Sequence, residues 1–393
     1  MSCSPVRYDA VIVGARVAGA ATAMLLGRAG LRVLLLDRSR YGADTLSTHA
    51  LMRSGVLQLH RWGLLDSIVD AGTPPIRRTT FRYAHEDVSV GIKAGHGIDA
   101  LYAPRRTVLD PVLVDAAAAA CADVRYGVTV SDVRRDARGR VTGVEGHDET
   151  GRTLAVDADI VIGADGLRST VAARVGAPIE HQARAASAVV YGYWSDVDTD
   201  GYEWAYRSGV AAGLIPTNDG LTCVFAGGPP WRIGRGGRRV VDDIVHSASP
   251  AIAERLAAGT PPAGVRFFSG QPGFLRRAAG PGWALVGDAG SWKDPISTRG
   301  IADALRDAEL LARAIVAAAS GEVSERQAMS DYQVVRNRLT LPMLEAADAV
   351  SAYDWADDEI PALLRDLSAS MAADLEVVVG FDATDVALLR EAV

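Results

Sequence analysis

Three glycine-containing turns, each beside an acid, are the residues of this 393-residue sequence whose types and spacing could do chemistry. The first lies between Tyr8 and Asp37. An apolar run over residues 10–13 leads into a turn from Gly14 to Gly19, and an Ala/Leu-rich segment of helical length follows. A second apolar run, residues 31–36, then ends in Asp37. That order predicts a β-α-β unit. In such a unit Gly14 lets the chain double back. The helix beginning near Val17 and Ala18 aims free N–H groups and the positive end of its dipole at a pyrophosphate. Gly19 lets helix and strand pack closely, and Asp37 accepts from ribose hydroxyls. The chemistry indicated is dinucleotide binding.

Arg16 stands where the middle glycine of this pattern would let phosphate approach the backbone. Either its side chain points away from the phosphate, or the turn is not a dinucleotide site. The intact strand, helix and acid favour the former. The second turn is Asp165-Gly166 in VIGADGLRSTV, where small residues allow a sharp turn beside a ligand. The third is Gly287-Asp288 in ALVGDAG, just after an apolar run. Asp288 is either a ligand contact or the cap of a loop, and Arg168 either a phosphate contact or a solvated arginine.

The elements that must position these turns alternate in texture along the chain. Residues 51–69 carry apolar side chains at helical spacing, ended by Thr73-Pro74-Pro75. Residues 79–83 and 87–92 alternate like an antiparallel pair. Residues 102–120 pass from loop to helix, with Pro111 in its first turn. Segments 124–134, 141–145 and 153–156 read as a meander, and residues 159–176 as strand, turn and helix. From Ala177 to Phe274, strands rich in Tyr, Trp and Val (188–194, 202–207, 211–215, 221–226) predict a mostly antiparallel sheet. Residues 227–237 are Gly/Pro/Arg-rich and read as a mobile loop, and 240–258 as a helix. The α/β texture returns with a strand over 283–286 and a long helix over 300–319; residues 324–393 read as helical. The acidic run 354–359 is expected to be a solvated helix start, and Asp110 a helix cap or solvated residue.

The three turns, in this order and spacing, resemble the fingerprints of the single-component (group A) FAD-dependent aromatic hydroxylases, of which the p-hydroxybenzoate hydroxylase type is the archetype. The resemblance covers most of residues 8–319. It implies an α/β fold: an FAD-binding three-layer Rossmann-like domain, an inserted mostly antiparallel β-sheet substrate domain, and a helical C-terminal region. The boundaries expected are 1–78, 98–178 and 275–345 for FAD binding, 79–97 and 179–274 for substrate, and 346–393 for a C-terminal helical extension.

The same resemblance implies roles residue by residue. Gly14, Val17, Ala18, Gly19, Asp37 and Arg38 would hold the adenosine diphosphate half of FAD, and Arg53 would reach the pyrophosphate. Arg106, rather than its neighbour Arg105, would stand near the flavin. Asp165, Gly166 and Arg168 would serve FAD and the transient nicotinamide cofactor. Gly287 and Asp288 would meet the ribityl chain. Pro295 with the Gly300 and Ile301 backbone would face the flavin pyrimidine edge, stabilising negative charge on reduced flavin. Lys293 and Arg299 depart from the His and Gln frequent in the family; turned inward, they would add positive charge there. His49 and Arg299 are the candidate catalytic residues. Tyr191, Tyr193, Trp204 and Trp292 are candidate walls of an aromatic substrate pocket, each with core packing as the plainer reading.

The implied activity is that of a monooxygenase. NAD(P)H reduces FAD, O2 forms a flavin C4a-hydroperoxide, and one oxygen atom enters an electron-rich aromatic or polyketide-like substrate. NADPH and NADH are not distinguished. The alternatives are a geranylgeranyl-reductase-type flavin reductase and a non-catalytic flavoprotein that binds an aromatic ligand. A halogenase is disfavoured because WADDEIP at Trp355 lacks the second Trp of WxWxIP. A net charge of −7 argues against nucleic-acid and anionic-membrane partners. Cys3, Cys121 and Cys223 have no metal or disulfide spacing and fit a reducing cytoplasm. The N-terminal apolar stretch, interrupted by Gly14, Arg16 and Arg28, does not read as a signal peptide. A cytoplasmic monomer or homodimer without a metal is expected.

Overall fold

The computed structural model describes residues 7–381. Strand Arg7–Val13, helix Val17–Arg28 and strand Val33–Leu36 form the β-α-β unit, the two strands parallel with Ala10 opposite Val33. Two glycines set its tightness. Gly14 has φ +105°, and a Cβ there would lie 2.4 Å from the Ala164 carbonyl oxygen. A Cβ on Gly19 would lie 1.8 Å from the carbonyl oxygen of Gly14. Neither place admits a side chain.

Strand Thr153–Gly163 runs parallel to Arg7–Val13, and Trp283–Leu285 runs parallel to it on the other side; Gly163 faces both Val13 and Leu285. The carboxyl ends of the three strands therefore share one sheet edge, and the three glycine turns leave from it. The first half of Thr153–Gly163 pairs instead with the antiparallel meander Val128–Arg135 and Val141–Asp148. Alternate residues divide between two layers. Ala10, Ile12, Leu35 and Ile162 pack under the helices Val17–Arg28, Arg106–Ala119 and Gly300–Ala319, while Val11, Val13, Leu34 and Val161 pack with the meander. The expected three-layer α/β arrangement is present.

A second sheet holds seven strands among the described residues. Ala188–Trp194, Thr222–Gly228, Val210–Pro216 and Tyr202–Arg207 are antiparallel neighbours, and Arg266–Phe268 pairs with the first of them. The hairpin of Arg78–Arg82 and Asp87–Gly91 joins at the far edge, Thr79 parallel to Tyr202. One face (Ala188, Val190, Ala212, Leu214, Val224) is covered by helices Arg238–Ala248 and Pro250–Ala258. The other (Tyr191, Trp204, Tyr206, Phe225) joins the core of the first sheet's helical layer. Among the described residues no helix is long and apolar enough to cross a membrane.

Several local readings are corrected. Residues 51–69 form two helices, Arg53–Arg61 and Leu65–Asp70, because Gly63 at φ +74° ends the first. Residues 240–258 likewise split at Ser249, whose hydroxyl accepts from the Ile252 N–H ahead of Pro250. The segment read as a mobile loop contains a helical turn, Pro230–Ile233. Asp110 is neither cap nor solvated: it is buried, paired with Arg16 and Arg106. Helix Ile360–Gly380 starts only after the acidic run, in which Asp357 accepts from the Ser208 N–H. Residues 382–393, at the end of the expected C-terminal extension, lie outside the described ones.

Helix Ile360–Gly380 packs near the start of Gly300–Ala319 through a buried ionic cluster. Arg299 donates to Asp303 (2.8 Å), to Asp374 and to the Ser54 hydroxyl (3.1 Å). Arg306 donates to Asp374 (2.7 Å), to Asp307 (2.6 Å) and to Thr340 (3.1 Å). Lys293 Nζ lies 2.8 Å from Asp303. Burial pushes the Asp303 carboxyl up, but Lys293, Arg299 and Arg306 outweigh it and hold it well below the ordinary carboxylate range; Asp374 is lowered by Arg299 and Arg306 in the same way. Removing one partner from such a cluster leaves buried charge uncompensated. Asp374→Ala is expected to cost about 3–5 kcal/mol in urea unfolding, against at most about 0.5 kcal/mol for Asp366→Ala on the exposed side of the same helix.

Candidate functional site

At the shared sheet edge lies a cavity of about 480 Å³. All three turns line it, through Gly14, Val17 and Ala18, through Asp165, Gly166 and Arg168, and through Asp288. Asp37 and Arg38 contribute from the end of the second strand. Pro295, Arg299, Gly300 and Ile301 contribute from the approach to the long helix, and Arg106, His49 and Trp292 line it as well.

Two helix N-termini open onto this cavity without a side-chain cap. Arg16 precedes Val17–Arg28 and Arg299 precedes Gly300–Ala319; neither makes a capping bond, whereas Ser169, Ser249 and Ser324 all cap their own helices. The cavity thus concentrates two positive dipole ends and the N–H groups of two first turns. A polyanion held along one wall and an anionic ring edge held along another is what such a pair can stabilise. The residues present therefore fit a dinucleotide such as FAD: Val17 and Ala18 for the pyrophosphate, Gly300 and Ile301 for the flavin pyrimidine edge.

The acids are less uniform than their spacing suggests. Asp37 accepts from the Ala15 N–H (2.7 Å), the Ser39 N–H (2.7 Å) and the Ser39 hydroxyl (2.6 Å), so it shapes the turn it faces while lining the cavity. Asp165 accepts from the Ser169 hydroxyl (2.5 Å) and the Thr170 N–H (2.6 Å). Its carboxylate caps helix Thr170–Val175, and Gly166, at φ +78°, is left to present backbone. Asp288 is pushed up to about 6 by burial, partly offset by Lys293 and Arg106. It is a carboxyl that a hydroxyl-bearing ligand chain would satisfy.

The remaining candidates divide between the cavity wall and the packing around it. Gly19 packs beneath it against Gly14, and Gly287, at φ +60°, packs against Ala18. Arg53 donates to the Lys93 (2.7 Å) and Gly95 (3.2 Å) carbonyls and does not line the cavity. Lys293 and Arg299 do line it, but their charge is matched by Asp303 and Asp374 rather than left free at the cavity wall. Trp204 is core, between Tyr202 and Phe225. Trp292 lines the cavity and packs on Phe268.

His49, at φ +69° and buried, joins cavity and second sheet. Its Nε2 lies 2.5 Å from the Tyr193 hydroxyl, and its Nδ1 has no hydrogen-bond partner among the described residues. The Arg105 guanidinium stacks on the Tyr193 ring at 4.0 Å, while the neighbouring Tyr191 hydroxyl accepts from the Ser47 N–H. Arg105 also reaches Asp44, which accepts from Arg266 at 2.7 Å. No sequence signal pointed to Asp44 or Arg266, which are brought together from segments far apart in the chain. Burial, with Arg106, Arg105 and Arg266, holds the His49 imidazole well below its ordinary value of 6.5. It is a neutral hydrogen-bonding group at neutral pH.

The sign of that shift has a measurable consequence. The unfolded chain takes up a proton on His49 near pH 6.5 that the folded chain refuses, so His49 lowers stability as pH falls from about 6.5 toward its depressed folded value. The difference in urea-unfolding free energy between the native chain and His49→Gln is expected to shift in the variant's favour over that window and to stay flat above pH 7. A difference that does not change with pH would count against the assignment.

Comparison with known proteins follows the same lines. Residues 7–345 match the family described as FAD binding domain. Digeranylgeranylglycerophospholipid reductase 1 of Methanococcoides burtonii is 27% identical over 339 residues, covering 81% of this chain and 77% of that protein. Among solved structures, the myxobacterial chondrochloren halogenase CndH is similar at a TM-score of 0.76 and 24% identity, covering 86% of this chain and 80% of that one. Pseudomonas aeruginosa PqsL in complex with 2-aminobenzoylacetate is similar at a TM-score of 0.77 and 20% identity, covering 92% and 100%. At these identities the two structures share the fold. With its three turns at one sheet edge and the family match running through both sheets, the chain belongs to the FAD binding domain family.

Proposed function

We propose that this protein is an FAD-dependent monooxygenase that uses NAD(P)H and O2 to oxygenate an aromatic or polyketide-like small molecule. One observation carries the reading. The cofactor cavity meets the second sheet at His49, whose Nε2 contacts the Tyr193 hydroxyl, and the Trp292 ring lines the same cavity. A flat ring is the ligand such a wall favours. Bound FAD supplies the redox and oxygen chemistry. The electrons of NAD(P)H and two protons take one oxygen atom of O2 to water, and the other atom enters the substrate. The protein's part is positional. The two helix N-termini hold the anionic cofactor, neutral His49 fixes the Tyr193 hydroxyl, and the second sheet shields the reacting edge from water.

A second reading is a flavin reductase that saturates isoprenoid double bonds, supported by the 27% identity to the archaeal lipid reductase. The two differ in where electrons go, to O2 with an aromatic present or to an alkene without O2. The test is NAD(P)H-dependent oxygen uptake by FAD-loaded protein across a panel of phenolic and polycyclic compounds. For a monooxygenase one compound raises uptake about tenfold or more with little peroxide released. Turnover of a prenyl lipid under anaerobic conditions, with no aromatic stimulating oxygen uptake, would replace the proposal with the reductase.

A further inference from the structure

The residue that departs from the glycine pattern has a place of its own in the cavity. Arg16 has φ −89° and ψ −171°, a conformation open to any residue, so the backbone here does not demand glycine. The positive φ falls on Gly14 and the steric limit on Gly19. What position 16 requires is that its side chain leave the phosphate path. Two acceptors take it there: the Ala43 carbonyl at 2.9 Å and Asp110 at 3.1 Å from the same guanidinium nitrogen. Asp110 is buried and also receives Arg106, at 2.9 and 3.0 Å. Next to Ala43, Asp44 is held by Arg266 at 2.7 Å. The segment that then lines the cavity, residues 45–50, is thereby tied at its start from both sides.

We infer that Arg16 is a clasp that retains the bound flavin dinucleotide, tying the glycine turn to the 38–50 segment and, through Asp110, to helix Arg106–Ala119. The inference rests on the reading of the cavity as the FAD site. Two arginines share one carboxylate, so the group leaves one positive charge at the cavity wall, the sign a pyrophosphate needs. Release of the dinucleotide past this wall requires the Arg16 contacts to open. A glycine at position 16 would still permit the turn but would join nothing, so the arginine slows exit rather than creating the site.

The test is the rate at which FAD leaves the loaded protein, followed by recovery of free-flavin fluorescence on dilution into a large excess of unlabelled adenosine diphosphate ribose. Arg16→Gly is expected to release FAD about tenfold faster, with the melting temperature of the FAD-free protein little changed. Arg53→Ala, which breaks contacts off the cavity wall, should leave the rate as it is. Should Arg16→Gly fail to fold, Arg16→Gln keeps a polar side chain but is shorter and uncharged, loses the ion pair with Asp110 and reads the same rate. Release from Arg16→Gly within about twofold of the native rate, or faster release from Arg53→Ala than from Arg16→Gly, overturns the clasp while leaving the FAD site standing. A native protein that takes up no FAD overturns both.

Discussion

The structure hangs on a steric contact that tolerates no side chain. Gly19 sits where a Cβ would enter the Gly14 carbonyl oxygen, and Gly14 where a Cβ would enter the Ala164 carbonyl oxygen. Those two approaches bring the first helix down onto its strand and the first turn against the second. Parallel pairing then brings the third turn to the same edge, since Gly163 is opposite both Val13 and Leu285. The cavity is the space left where three strands stop together and the chain turns away from each. Its electrostatics follow from the same geometry, because two of the helices that leave this edge begin uncapped and facing inward.

A second constraint governs the far wall. The approach to the long helix and the helix's second turn carry cations, Lys293, Arg299 and Arg306, placed almost wholly out of water. Three carboxylates, Asp303, Asp307 and Asp374, answer them. The balanced arrangement leaves the helix dipole, rather than a free side-chain charge, as the positive element facing the cavity at Gly300 and Ile301. Asp374 comes from the last described helix, so that helix is part of the cavity's support and not an appendage.

The proteins to which this chain is similar include, by name, a lipid reductase and a halogenase. What can distinguish them lies across the cavity, where the second sheet meets it. Here that meeting is made by His49, Tyr191, Tyr193 and Arg105, polar tips on an otherwise aromatic face. The imidazole is kept neutral by burial and by the arginines around it. A neutral, hydrogen-bonded group at this junction holds geometry without adding charge beside the cofactor.

The sequence by itself determined the cofactor half. Glycines at steric limits, an apolar run of strand length on each side and an acid at a strand end are local requirements, and local requirements leave local traces. The second sheet was legible too, through segments rich in Tyr, Trp and Val between turn clusters in residues 188–226. The tertiary structure alone decided the partners. Arg16 was visibly out of pattern, but its acceptors lie at Ala43 and Asp110. Asp165 carried the right motif, yet its carboxylate caps the following helix. Arg53 fitted the family position and turns to the carbonyls of Lys93 and Gly95. Asp374 carried no signal at all, being an acid in a helix whose two buried arginine partners lie 75 and 68 residues away. Charge pairing acts through space over a few ångströms and leaves no periodicity in the chain, so which acid meets which arginine emerges only when the helices have packed.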